Sequence, residues 1–372
     1  MMAVLRCVFA AKAPAHWRVA PTVPGSHPVS TRKAVDMKLG MNTFFINVFD
    51  FEEGLQFCQE QGVLAVEVAA GGPGAVKYCD VDRLLADQGE LERWLDIYAG
   101  YGLEIYSFAG HGTPLVPDRR IAEDYSQQFR KTCALMEKIG CTRLALVAGL
   151  PEGAEGDSLP AWIINTDLPF LRDALEWQWE QRLLPYWKEH GRIAADHGVT
   201  LCFEMQINDM IHSPVKLRRL RDELGPVVAC NYDISHMWVQ GIDPLAAIHE
   251  LSDLIQAVHL KDTLIHEPNL RLRGYFDSTD LKQYQNRSWT FTIPGWGHDE
   301  RTWREVISTL RFIGYTGILT LEMESEYIEI QEGLEKAAAF IRPMLLEKPV
   351  GPAWWEVAAV HELWEETKEE GE

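Results

Sequence analysis

The sequence predicts an α/β chain folded as a (β/α)8 TIM barrel, a single catalytic domain with long βα loops after strands 4 and 7. Three observations lead there. Short apolar runs alternate with longer amphipathic ones eight times, glycines stop helices just ahead of the next strand, and no GxGxxG turn follows the first strand. A doubly wound sheet shares the alternation but seldom needs eight units, and it would use that glycine turn for a dinucleotide.

Taken in order, the apolar runs predict strands near 38–46, 62–69, 102–108, 142–148, 199–204, 227–233, 255–260 and 317–323. Amphipathic periodicity predicts helices near 50–61, 88–101, 118–139, 168–197, 214–224, 243–252, 300–314 and 327–346, with "AGYG" and "KIG" as two of the stops. The connections 149–167 and 261–299 are long, and long loops at this end of a barrel cover substrates. The barrel domain is read as 37–346. Residues 1–36 carry Arg6, Lys12, Arg18, Arg32 and Lys33 with no acid before Asp36. They are read as a disordered extension, either an over-extended start ahead of "MKLGMNTFFI" or a targeting segment. Residues 347–372 read as an appended helix and an acidic tail.

The formal charge of −20 argues against a nucleic-acid partner, which would call for clustered Lys and Arg, and favours a small neutral or polar substrate. No run reaches the roughly 18 apolar residues of a membrane helix. Seven cysteines, an odd number without a CxxC pair, sit in apolar segments and suit a reducing compartment, read as cytoplasm. Association into a homo-oligomer is expected, as for many such barrels.

Barrel chemistry sits at the carboxyl ends of the strands. Strand 2 ends with Glu67 in "AVEVAAGG", strand 3 runs into His111 in "FAGHGTPLVPD", and strand 5 ends on Glu204 in "LCFEMQ". Strand 6 supplies Asp233 and His236 in "NYDISH", strand 7 carries His259, Lys261 and Asp262 in "AVHLKDT", and strand 8 carries Glu322 and Glu324 in "LTLEMES". Any one of these alone is more often a helix cap, an ion-pair partner or a satisfied core group. Four successive strands ending in Glu204, Asp233, His259 and Glu322 are another matter. Three carboxylates converging on the barrel axis repel unless a cation joins them. An oxygen-rich set with one imidazole suits a divalent metal, Mn²⁺ foremost, with Mg²⁺ or Co²⁺ as alternatives.

These motifs resemble the xylose-isomerase-like TIM-barrel superfamily, which includes sugar phosphate isomerases/epimerases, ketose 3-epimerases, inosose dehydratases and the second class of apurinic endonucleases. The resemblance spans roughly residues 37 to 346, and "GLPEG", "WQWEQRLLPYWKEHG", "GIDP" and "IPGWGHDERTWREV" mark a narrower subgroup. It implies that Glu204, Asp233, His259 and Glu322 bind the metal and that Glu204 and Glu322 also act as acid and base on a ketose or keto-sugar. His236, His111, Lys261 and His298 are implied substrate contacts; Glu67 is either such a contact or a buried structural acid, and Asp262 orients a ligand. Departures are Met205 and Met323 where the family has histidine, Val116 in place of a subgroup histidine, and Met210 and Ile265 where ketose epimerases have Glu and Arg.

The chemistry this implies begins with proton abstraction beside a carbonyl to give an enediolate. Return of the proton gives epimerisation or isomerisation, whereas loss of a group β to the carbonyl gives a dehydratase or lyase acting on an inosose or 3-keto-sugar. A non-catalytic sugar-binding barrel subunit is the reading from another class. Trp162, Trp238, Trp289 and Trp296 are read as an aromatic floor for the sugar, and Arg271 or Arg273 as contacts from a 261–299 lid. The lack of an evident basic cradle points to a non-phosphorylated substrate.

Overall fold

A computed structural model describes residues 37–70, 75–348, 351 and 354. The expectations for 1–36 and for nearly all of 347–372 lie outside the described residues.

Eight parallel strands close into a barrel: β1 Lys38–Asn42, β2 Ala65–Ala69, β3 Glu104–Ala109, β4 Arg143–Leu146, β5 Thr200–Glu204, β6 Val228–Asp233, β7 Ile255–Leu260 and β10 Ile318–Leu321. β1 pairs with both β2 and β10, so the sheet has no free edge. Within 261–299, where the sequence predicts only a long connection, two further strands, β8 Asp262–Ile265 and β9 Trp289–Thr292, form an antiparallel hairpin. Between them run a helix at Glu267–Arg273 and a 3-10 segment at Leu281–Asn286. The excursion read as a lid therefore has secondary structure of its own.

Helix placement follows local chemistry. Asp118 caps Arg119–Ile139 by accepting from the backbone amides of Arg120 and Ile121, and Gly140, at φ 73°, ends it in the left-handed conformation. The predicted 168–197 helix is continuous but carries a π-helical turn at Gln178–Leu183, which puts Gln178 and Trp179 into the interior. Trp187 and Trp303 are fully buried between helices and barrel. Among the described residues, no helix is long and apolar enough to cross a membrane.

Strand geometry then positions the site. Side chains two apart on a strand share a face. Cys202, Ala229 and Ala257 form a small apolar layer, so Glu204, Asn231 and His259 come next on the same face, with Asp233 and Lys261 one step further. The ladder shifts register at Val66/Glu67 and at Cys230/Asn231. Such irregularities re-aim side chains near functional sites, and each here immediately precedes a residue of the cluster described below.

Candidate active site

His259 lies at the centre of the cluster. Its Nδ1 stands 3.1 Å from Glu204 Oε2 and 3.1 Å from Glu322 Oε1, while Nε2 stands 2.8 Å from Glu67 Oε1. Lys261 Nζ sits 3.0 Å from Asp233 Oδ2, 3.0 Å from Glu322 Oε2 and 2.9 Å from Glu324 Oε1. His111 Nε2 reaches Glu204 Oε2 at 3.1 Å, and His236 Nε2 lies 3.1 Å from Glu204 Oε1. Glu204, Asp233, His236, His259 and Lys261 are no more than 2 % exposed. The four residues read as metal ligands are thus gathered in one place, with His111, His236 and Lys261 around them.

Charge governs the protonation of this buried group. Burial works against a charged imidazole, but Glu322 and Glu67 outweigh it and hold His259 well above its ordinary value. Lys261 is likewise penalised by burial yet raised by Asp233, Glu322 and Glu324. Glu204 and Glu322 show the converse: burial would raise them, but His111 beside Glu204, and His259 and Lys261 beside Glu322, hold both below the usual carboxylate range. The carboxylates are compensated by an ammonium and by imidazole protons.

The same donors fit a divalent cation. Ligand atoms of Glu204, Asp233 and His259 lie within 4.8 Å of one another, as do those of Glu67, His259 and Glu322. Asp233 Oδ2 and His236 Nε2 are buried without an aligned hydrogen bond. For Asp233 this holds even though the Lys261 ammonium is close by, so an acceptor on the cluster is left under-used. Oxygen donors with one imidazole form a hard set.

Above the cluster opens a cavity of about 230 Å³ whose walls include Asn42, Phe44, Phe45, His111, Glu204, Gln206, Glu322 and Glu324. Glu204 and Glu322 therefore face both the cluster and the space where a ligand would sit. Beside this rim, Asp209 accepts from the backbone amides of Gly149 and Ile211, tying the loops after β4 and β5 together. Burial raises its carboxyl to about 7.

Other residues singled out from the sequence stand elsewhere. Glu67 lies beneath His259, held by Asn42 and Ser107, and is not on the cavity wall. His298 Nδ1 bonds Asp262 Oδ1 at 2.7 Å, and its ring stacks on Trp238 with centroids 3.7 Å apart. Asp262 thus holds His298, which stands outside the carboxylate cluster, and touches none of the four residues read as metal ligands. None of the four tryptophans lines the cavity; Trp289, in the hairpin strand β9, packs with Val239 and Phe291, and Phe44 and Phe45 supply the aromatic wall instead. Arg271 and Arg273 bond Glu267 and Thr279 at the surface of the excursion. Met205 and Met323 belong to the hydrophobic core, as strand alternation requires of residues that follow inward-facing glutamates.

Two amides escaped sequence reasoning. Asn42 and Asn231 both donate into the cluster, and only the two-residue spacing of Asn231 from Asp233 signalled its inward direction.

A closed barrel with acids and imidazoles collected at the carboxyl ends of its strands defines a class of (β/α)8 proteins whose chemistry is carried by that rim. The chain belongs to the xylose isomerase-like TIM barrel family, whose model matches residues 55–344. It is 29% identical over 309 residues to the uncharacterised protein YfiH of Bacillus subtilis (strain 168), covering 82% of this chain and 98% of the relative. The inosose dehydratase of Geobacillus kaustophilus (strain HTA426) is 26% identical over 228 residues, covering 61% of this chain and 69% of that protein. Among solved structures, the 3-keto-D-glucoside 4-epimerase YcjR from E. coli superposes with a TM-score of 0.55 at 16% identity, covering 83% of this chain and 100% of that one.

Proposed function

We propose that the chain is a divalent-metal-dependent isomerase or epimerase that acts on a ketose or keto-sugar through an enediolate. The observation that carries this reading is the pair Glu204 and Glu322. Each lines the cavity and each lies 3.1 Å from the same imidazole nitrogen, so two carboxylates converge on one point from different strands. Such a pair can take a proton from one face of a carbon and deliver one from the other.

Glu204, Asp233, His259 and Glu322 would hold the metal, Mn²⁺ foremost. Bound there, it would supply Lewis-acid stabilisation of charge developing on a substrate oxygen. Glu67 takes the proton of His259 Nε2 in a hydrogen bond and so leaves Nδ1 facing the other ligands. His111, which pairs with Glu204 on the cavity wall, would contact a substrate hydroxyl, as would His236 beside Glu204 Oε1, and the Lys261 ammonium pairs with Asp233 and Glu322. His298 stays a substrate contact only for a ligand that extends beyond the cavity. A second reading, elimination of water or an aglycone from an inosose or 3-keto-sugar, draws support from the similarity to an inosose dehydratase; it shares the proton abstraction and differs in the fate of the intermediate.

The experiment is solvent deuterium incorporation, followed by mass spectrometry and NMR, on ketoses, inososes and 3-keto-glycosides with Mn²⁺. Label in one substrate is expected, lost with chelator and reduced about 10²–10⁴-fold in Glu204→Gln and Glu322→Gln while the fold is retained. A dehydrated or cleaved product would select the second reading. Sugar binding without exchange, unchanged in Glu204→Gln, would make the chain a non-catalytic binder.

A further inference from the structure

Outside the groups already given roles, the barrel interior holds two neutral amides in direct contact with the two glutamates. Asn231 Nδ2 donates to Glu204 Oε2 at 2.8 Å. Asn42 Nδ2 donates to Glu322 Oε1 at 3.2 Å and to Glu67 Oε1 at 3.0 Å. Both amides are buried. We infer that Asn42 and Asn231 are positioning residues that each fix the glutamate oxygen facing His259 Nδ1, so that Glu204 and Glu322 are held converged on that nitrogen; the inference rests on the function proposed above.

Three features carry it. The pairing is selective at the level of atoms: each amide takes the oxygen that also faces His259 Nδ1, Glu204 Oε2 for Asn231 and Glu322 Oε1 for Asn42, while Glu204 Oε1 faces His236 and Glu322 Oε2 faces Lys261. The amides add a neutral donor to the contacts from His111, His259 and Lys261 that hold each carboxylate about its last torsion, which is otherwise broad and roughly two-fold. Next, Asn231 makes its bond at a cost, because its buried Oδ1 has no hydrogen-bond partner. A leucine of similar shape would carry no such penalty, so the donor is what the position retains. Finally, an amide adds a donor without adding charge. A lysine or arginine there would neutralise the glutamates and compete with a cation, and an aspartate would add a repelling acceptor opposite Glu204 or Glu322. Asn231 reaches Glu204 on the strand paired beside it, β5, whereas Asn42 joins the first strand to Glu322 at the end of the last, where the barrel closes.

The test compares the full-length wild-type chain with Asn42→Leu and Asn231→Leu, with Asn42→Asp and Asn231→Asp as second variants. Mn²⁺ affinity is read by calorimetry, thermal unfolding checks the fold, and kcat and KM are measured on the substrate found by deuterium exchange. Loss of an orienting partner in such shells weakens metal binding or activity by about 10–100-fold. The expected result is a loss of that size in Mn²⁺ affinity and in kcat, with KM nearly unchanged, in variants that unfold cooperatively. Should the leucine variants fail to fold, the isosteric aspartates carry the comparison, and the same losses are expected of them. Wild-type affinity and kcat in folded variants of either kind would overturn the inference while leaving the proposed function standing. Absence of Mn²⁺ binding to the wild-type chain would instead remove the proposed function, and with it the purpose assigned to the amides.

Discussion

Lys261 is a cation that the site carries permanently. It is buried among Asp233, Glu322 and Glu324, and removing one partner of a buried ion cluster leaves the others uncompensated. Lys261→Met is expected to cost about 3–5 kcal/mol of stability without metal, and Mn²⁺ should restore more of the unfolding temperature in this variant than in the wild type. Unchanged metal-free stability would show that the carboxylates do not depend on the ammonium. His259 adds a pH dependence whose sign is fixed. In the folded, metal-free chain its value lies well above the ordinary 6.5, so its contribution to stability is complete below that pH and is lost as pH rises through the raised value. A metal taking Nδ1 must displace that proton. Mn²⁺ affinity therefore rises with pH across the neutral range, which calorimetry in buffers of different ionisation enthalpy measures as proton release.

At the scale of elements, one carboxylate organises the appendage after β7. Asp262 Oδ2 accepts from the backbone amides of Gly295, Gly297 and His298 and from Trp303 Nε1, while Oδ1 accepts from Thr263 and binds His298. The turn is packed closely, for a Cβ on Gly297 would lie 2.1 Å from the carbonyl oxygen of Thr263. Asp262→Asn replaces one acceptor with a donor facing other donors. It should cost about 2 kcal/mol and raise hydrogen exchange at residues 295–298, with the Mn²⁺ affinity of the carboxylate cluster little altered. The barrel strands and helices were legible because burial on one or both faces imposes a period on the sequence. The hairpin was not, although "WTFT" has the β-branched and aromatic alternation of a strand, because an excursion between two barrel units has no repeat to place it. Within the site, acids and histidines announced themselves as costly groups in apolar strands. Asn42 and Asn231 did not, since an amide in a strand carries no charge to be explained; only counting back by two from Asp233 turns Asn231 toward the axis. Glu67 was legible as a buried acid but its partner, His259, was visible only once β2 and β7 faced each other across the barrel.

Over the whole molecule the formal charge of −20 sets the long-range field that any ligand meets. A divalent cation is drawn toward such a surface and an anionic sugar is repelled, the range of both effects being set by a Debye length of about 10 Å at 0.1 M salt. Inside the cavity the sign is the same, since its polar walls include Glu204, Glu322 and Glu324 and the imidazole on its wall, His111, is paired with Glu204. A phosphorylated substrate would have to overcome both fields, whereas a neutral keto-sugar meets neither. This predicts different salt dependences once a substrate is known. With Mn²⁺ saturating, kcat/KM for a neutral keto-sugar should stay nearly flat as ionic strength rises, while that for its phosphorylated analogue should start lower and increase as screening weakens the repulsion. A kcat/KM that favours the phosphorylated compound and falls with salt would require a local basic site strong enough to reverse the field of the whole chain, and would redirect the search for substrate to phosphosugars.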